Sequence, residues 1–231
     1  MAYPKIVIFM GLPGSGKGTQ ADLVSERFGF FHFDTGRVLE KEWYDPAKQN
    51  DPVVVRERKN FESGVLNSPD VVNTVVERYI KQYSAEGKNL VFSGSPRSIV
   101  QAEFLFKVFE SLFGYENVLV FAVDVSEDTS LFRNSNRRVC KKCRTPVLWN
   151  SETKDWRVCP KCGGELVKRS LDVPEIIKER FREYYRQTEP VFELIKKVGI
   201  ETVHVNGELP PEAIAEEVRN HLESWSKKHT T

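Results

Sequence analysis

The 231-residue chain has no apolar stretch approaching the ~20 residues that a helical bilayer span requires. Neither sign of charge dominates: 34 Lys and Arg stand against 33 Asp and Glu, a net charge of +1. That balance gives no support to wholesale nucleic-acid binding. The N-terminus lacks the layout of a signal peptide, because Lys5 is followed by only a short apolar run. Internal repeats and low-complexity segments are missing as well. Cysteine is absent outside positions 140–162, where all four residues fall. Together these absences predict a soluble globular protein of the cytoplasm. In that reducing compartment, clustered cysteines favour a metal over disulfides.

What is present is organised around residues 5–27, KIVIFMGLPGSGKGTQADLVSER. The apolar run Ile6–Met10 predicts a buried strand, and Thr19, Ala21, Leu23 and Val24 begin a helical pattern. Between them lie Gly11, Gly14, Ser15, Gly16, Lys17 and Gly18. Strand, glycine loop and helix are the context a phosphate-cradling loop requires. Glycines let backbone N–H groups approach phosphate oxygens, the helix N-terminus favours the anion, and Lys17 adds a point charge. An ordinary strand-to-helix turn is the plainer alternative.

Further strands are expected at Asn89–Ser93, Val118–Val125 and Glu201–Val205, with a weaker one at Phe30–Phe33. Helical patterns separate them, at Val71–Tyr83, Ile99–Phe113, Pro174–Tyr185 continuing past Pro190 to Lys197, and Pro210 to about Trp225. That alternation predicts an α/β fold with a parallel sheet flanked by helices. The tail 226–231 is expected to fray. The core is assigned to 1–33, 69–137 and 169–231. Residues 34–68 and 138–168 read as insertions, of a kind that often forms moving lids.

Cys140-x-x-Cys143 and Cys159-x-x-Cys162 are separated by a run of fifteen residues. Two such knuckles suit a tetrahedral Zn²⁺, and with four thiolates the site is closed and structural. Disulfides are one alternative. A nucleic-acid-binding ribbon is another, kept open by Lys141, Lys142, Arg144, Lys154, Arg157, Lys161 and Lys168. Trp149 and Trp156 are expected to fill the small interior of this segment.

The loop variant GLPGSGKGTQ resembles the adenylate kinase family and its nucleoside monophosphate kinase relatives. Asp34-Thr35-Gly36-Arg37-Val38-Leu39-Glu40 is similar to the family's S-T-G-D-x-L-R, with the two charges exchanged. Arg37 is read either as a phosphate ligand or as an intrahelical partner of Glu40, three residues on. Val65, Leu66 and Asn67 resemble the stretch that reads the acceptor base; a plain helix stop is the alternative. Ser93-Gly94-Ser95-Pro96-Arg97 with Gln101-Ala102 is similar to D-G-F-P-R-x-x-x-Q-A, with Ser93 replacing the acid that orients Mg²⁺ waters. Asp34 and Asp124 are candidates to compensate.

Arg133, Arg137 and Arg138 resemble the approach to the family's lid, and Arg169, Asp172 and Arg180 its far side. The resemblance implies a P-loop NTPase-type sheet, an acceptor-binding insertion at 34–68 and a zinc-bearing lid at 138–168. It implies Mg-dependent phosphoryl transfer from ATP to AMP by a monomer. Gly14 to Thr19, Arg133 and Arg137 would hold ATP. Thr35, Arg37, Val65, Leu66, Asn67, Gly94, Arg97, Gln101, Arg169 and Arg180 would hold AMP. Lys17, Arg97, Arg133, Arg137, Arg169 and Arg180 would act on the transferring group. A kinase for another monophosphate, or a nucleotide-binding protein with little activity, is the competing reading.

Overall fold

The computed structural model describes residues 3–143, 145–168 and 172–229. Five strands form the main sheet: β1 (Ile6–Met10), β2 (Phe31–Phe33), β3 (Leu90–Phe92), β4 (Val118–Asp124) and a last one, Glu201–Asn206. The order is β2-β3-β1-β4-last, and every pairing is parallel. All five segments expected from the sequence are therefore strands, with slightly different ends.

β1 is central and wholly buried, so it is apolar throughout instead of alternating. Its residues nevertheless divide by parity. Ile6, Ile8 and Met10 pack on one side with helices α4 (Pro69–Ala85) and α5 (Ile99–Phe113). Val7 and Phe9 pack on the other with α1 (Lys17–Phe28) and the C-terminal helix Pro211–His229. Because all strands run the same way, their C-terminal ends share one edge, where open α/β sheets bind ligands.

The insertion at 34–68 folds as α2 (Thr35–Trp43) and α3 (Pro52–Ser63). Asp34 caps α2 by accepting from Arg37 N, and Asp51 caps α3 by accepting from Val53 N. Glu57 on α3 is 0% exposed. It accepts from Ser68 N, Ser68 Oγ, Asn67 Nδ2 and Arg56 Nε at 2.6–3.0 Å, tying α3 to the chain that enters α4. Asn67 Oδ1 in turn accepts from Trp43 Nε1.

α6 (Glu127–Asn136) leads to a three-stranded antiparallel sheet of β5 (Arg138–Cys140), β6 (Pro146–Val147) and β7 (Leu166–Lys168), ordered β6-β5-β7. With these strands, the last strand of the main sheet is β8. Cys140, Val147, Cys159 and Leu166 form the interior of this segment. Trp149 and Trp156 do not: they are 41% and 39% exposed, and Trp149 packs edge-on to Phe132 of α6. The four sulfurs occupy the space the indoles were expected to fill.

α7 (Pro174–Glu183) passes into a π-turn at Tyr184–Thr188 and then α8 (Val191–Lys197). The break falls ahead of Pro190, which cannot continue the ladder of N–H donors. The C-terminal helix, α9, runs to His229. It is not frayed at 226: Ser226 is buried, and the His229 ring stacks on Trp225 at 3.9 Å.

The Glu57 network generates a stability prediction. Glu57→Ala leaves several donors without acceptors in a buried site, at a cost of about 3 kcal/mol. Urea unfolding measures this, with Glu57→Gln losing less because it keeps one acceptor. A loss below about 1 kcal/mol for the alanine variant would mean that water or repacking satisfies the donors.

Candidate active site

One cavity of about 270 Å³ opens along the C-terminal edge of the sheet. Gly14, Gly16, Lys17, Gly18 and Thr19 line one end, and Gly64, Val65, Leu66 and Asn67 the other. Ser15 lies just beneath, 0% exposed. The glycine loop is clamped from outside the main sheet. Asn134 Nδ2 of α6 donates to Pro13 O at 2.8 Å, and Ser130 Oγ donates to the same carbonyl. Gly14 has φ +86°, and a Cβ there would stand 2.4 Å from Asn134 Nδ2. The clamp therefore requires glycine at this position.

Lys17 Nζ folds back into its own loop, donating to Gly11 O at 2.8 Å, Leu12 O at 2.6 Å and Ser15 Oγ at 3.1 Å. Its ammonium sits well below the usual lysine range, because burial disfavours the charge and Arg97, Arg180 and Arg137 repel it. Arg97 is held by three contacts. Its Nε donates to Gly94 O, its N donates to Gln101 Oε1, and its carbonyl accepts from Thr188 Oγ1 of the π-turn, each at 2.8 Å. Burial lowers the Arg97 guanidinium too, and Asp34 opposes the shift.

Arg137 makes a two-pronged bond to Asp172, at 2.9 and 2.7 Å, and Arg180 Nη1 lies 3.6 Å from the same carboxylate. One buried acid thus aligns two cavity arginines. Arg133 donates to Gly207 O at 2.7 Å. Arg138, by contrast, donates to the carbonyls of Thr153 and Trp156 and belongs to the cysteine segment. Arg133, Arg137 and Arg180 line the cavity with Lys17 and Arg97. Arg169 and Arg144 lie outside the described residues.

At the far end, Thr35 and Ser95 are 2% and 4% exposed, and both line the cavity. Neither hydroxyl has a hydrogen-bond partner among the described residues. A buried hydroxyl without a partner is costly, and a polar ligand reaching this end would satisfy it. Gly94 stands where a Cβ would meet Thr35 Cβ at 3.0 Å. Gln101 is buried, with its Oε1 committed to Arg97. The Asn67 side chain is committed to Glu57 and Trp43, so it serves the fold.

Arg37 does not pair with Glu40. Its Nε lies 3.1 Å from Asp34 Oδ2, on the turn before it. Arg37 and Glu40 both line the cavity. Asp124 is not a cavity residue: it pairs with His204 at 2.8 Å on the exposed end of β4. The carboxylate linked to Ser93 is instead Asp22. Its Oδ1 is 2.7 Å from His32 Nδ1, and His32 Nε2 is 2.7 Å from Ser93 Oγ. Ser95, Asp22 and His32 had no site signal of their own in the sequence. The latter two are single polar residues on a helix and a short strand; parallel pairing of β2 and β3 brings His32 to Ser93, and α1 brings Asp22 to His32.

The four cysteine sulfurs all lie within 4.8 Å of one another. Cys140–Cys162 and Cys143–Cys159 are separated by 3.4 and 3.6 Å, so these are free thiols and no disulfide is formed. Hydrogen bonds from Thr145 pull the Cys143 thiol down to about 6. The Cys162 thiol has a hydrogen bond from Gly164 N–H that favours its thiolate, but the Cys143 and Cys140 sulfurs push it up to about 12. Four sulfurs this close ionise together only around a cation. The set fits a thiophilic metal.

Among the described residues, no helix is long and apolar enough to cross a membrane. The family model for adenylate kinase matches residues 9–200. Adenylate kinase of Thermotoga neapolitana is 33% identical over 231 aligned positions, covering 99% of this chain and 100% of its own. That of Caldicellulosiruptor saccharolyticus is 33% identical over 196, covering 84% and 88%. The Archaeoglobus fulgidus protein of the same name is 32% identical over 218, covering 94% and 97%. The phosphate-cradling loop, the parallel sheet that carries it and these matches agree, and the chain belongs to the adenylate kinase family of phosphotransferases.

Proposed function

We propose that this chain transfers the γ-phosphoryl group of ATP, reversibly, to AMP. The observation that carries the reading is the convergence of Lys17, Arg97, Arg133, Arg137 and Arg180 on one cavity, lined also by a glycine loop and by two buried hydroxyls without partners among the described residues. Phosphoryl transfer spreads charge over equatorial oxygens, so positioned cations are its main catalytic need.

In this reading ATP binds with Gly14, Ser15, Gly16, Lys17, Gly18 and Thr19 around its phosphates. Lys17 Nζ leaves its loop carbonyls for phosphate oxygens, whose negative charge favours the ammonium. Arg133 sits beside the donor nucleotide, held by the β8–α9 turn. Arg97, Arg137 and Arg180 neutralise the transferring group, and Arg169 is assigned with them from its sequence position. AMP sits at the other end, against Thr35, Ser95, Gly94, Gln101 and the 65–67 backbone. The hydroxyls that lack partners are the donors or acceptors it finds there.

Mg²⁺ enters with the triphosphate. The described residues do not fit a dedicated site: Gly18 has no oxygen ligand, Asp22 and Ser93 are bonded to His32, and Asp34 to Arg37. Zinc is assigned to Cys140, Cys143, Cys159 and Cys162, where it orders a segment with little apolar core. Residues 34–68 are assigned as the acceptor-binding part and 138–168 as the lid. The working location is the cytoplasm, and the working state a monomer without nucleic-acid partners.

Glu40 and Arg37 modify the acceptor end. Glu40 adds a carboxylate to the cavity wall, and Arg37 is shared with Asp34. Acceptor affinity is therefore expected to be modest.

Coupled assays of ADP formation test the reading. AMP should exceed GMP, CMP and UMP as acceptor; a better acceptor among the other three would replace AMP in the assignment. Glu40→Arg exchanges repulsion for a charged hydrogen bond, and should lower KM for AMP about tenfold. An unchanged KM would place Glu40 away from the phosphate. Metal analysis should find one zinc per chain, and its removal by chelation should lower Tm and slow turnover. A metal-free protein of equal Tm would refute the zinc assignment.

A further inference from the structure

Asp22, His32 and Ser93 form a continuous hydrogen-bonded chain, and all three line the nucleotide cavity. Each is placed by a different element. Asp22 is on α1, one turn beyond Lys17 and Gly18. His32 is the middle residue of β2. Ser93 directly follows β3, whose Phe92 is paired with Ile8 of β1, the strand that feeds the glycine loop. The serine therefore stands at the same sheet edge as the phosphate cradle.

The donor order follows from the chemistry of the three groups. A carboxylate only accepts, so Asp22 takes a proton from His32 Nδ1. Burial raises the Asp22 carboxyl, but its hydrogen bond with His32 and the nearby charges of Arg37 and Lys161 bring it below the usual carboxylate range. It is ionised at neutral pH. In the tautomer with the proton on Nδ1, Nε2 is an acceptor, and Ser93 Oγ donates to it. A nucleophile, a base within 2.7 Å and a third group that fixes the base make up the arrangement that activates a serine hydroxyl.

A second observation concerns access. Ser93 is only 9% exposed, and it lines the cavity. A reagent must arrive as the cavity's own ligand. On the proposed function, that ligand is ATP.

Resting on that reading, we propose that Ser93 is itself a phosphoryl acceptor, and that the protein phosphorylates this serine from bound ATP when no acceptor nucleotide is present. In the step, Ser93 Oγ forms a bond to the γ-phosphorus. The bond from that phosphorus to the β–γ bridging oxygen breaks, and ADP leaves. The Oγ proton passes to His32 Nε2, and Asp22 stabilises the imidazolium until the proton is lost to water. The products are ADP and a phosphoserine. Lys17 and Arg97 face the charge that moves, as they do in transfer to AMP.

The test incubates the full-length, metal-replete protein with Mg-ATP and no AMP, then measures intact mass and maps the modified peptide. ATP binding to each variant is measured separately by titration. One phosphoryl group should appear on Ser93 in the wild type and be absent from Ser93→Ala. His32→Asn should slow its appearance about 100-fold, the scale of a lost general base. Asp22→Asn should slow it as well, while keeping ATP binding and the fold, and so separates the relay from simple misfolding. ATP binding with no phosphate on Ser93 overturns this inference and leaves the proposed function standing. Phosphate that persists in Ser93→Ala overturns it too, since the acceptor is then another residue. Failure of the wild type to bind ATP overturns both.

Discussion

Five cationic side chains are held at one edge of a parallel sheet, and most of the remaining structure explains how they are kept there. Like charges in a low-dielectric cleft repel one another, and burial raises the cost. Lys17 carries the clearest sign of that cost, since both burial and three arginines disfavour its charge. The fold bears this by rigid construction. β1 is buried on both faces, and its neighbours set the height of the loop that follows. α6 fixes the loop through Asn134 and Ser130, and the π-turn fixes Arg97 through Thr188. Asp172 aligns Arg137 and Arg180 while offsetting part of their repulsion. On the proposed function a polyphosphate completes the arrangement, because cations outnumber carboxylates along the cavity.

The two insertions meet different physical demands. Residues 34–68 have a core of their own only in part, so a buried carboxylate, Glu57, joins α3 to the entry of α4. Gly64 at the end of α3 approaches α7 so closely that a Cβ would lie 2.7 Å from Ile176 Cγ2. That contact brings the cavity wall at Gly64 against the helix carrying Arg180. Residues 138–168 have almost no apolar core, and four sulfurs take its place. The indoles of Trp149 and Trp156 are left on the segment's surface.

Elements with strong local signals were legible in the sequence. The strands stood out as apolar runs between helical patterns, the glycine loop by its spacing, and the cysteine knuckles by theirs. Local pattern failed where a side chain had a choice of partners. Arg37 has an acid three residues on either side, and sequence cannot rank Asp34 over Glu40; the capping geometry of α2 does so. Asp124 looked like a metal-site acid, but His204 on the adjacent strand claims it. Asp22 and His32 are ten residues apart, and Ser93 is sixty-one beyond His32. Only the parallel register of β2, β3 and β1 joins them. The expected fraying at 226 failed because Trp225 and His229 stack across a helical turn.

The central claim is that Lys17 is a buried cation waiting for an anion, and its own titration tests this most directly. NMR of the side-chain amine, with Lys17→Met to assign the signal, would follow its protonation with and without inorganic tripolyphosphate. In the free protein it should titrate well below the ordinary lysine range. Tripolyphosphate should move it upward, because a nearby anion favours the charged form. An ordinary value, unmoved by tripolyphosphate, would contradict the account, since Lys17 would then be neither desolvated by its neighbours nor in contact with the phosphates.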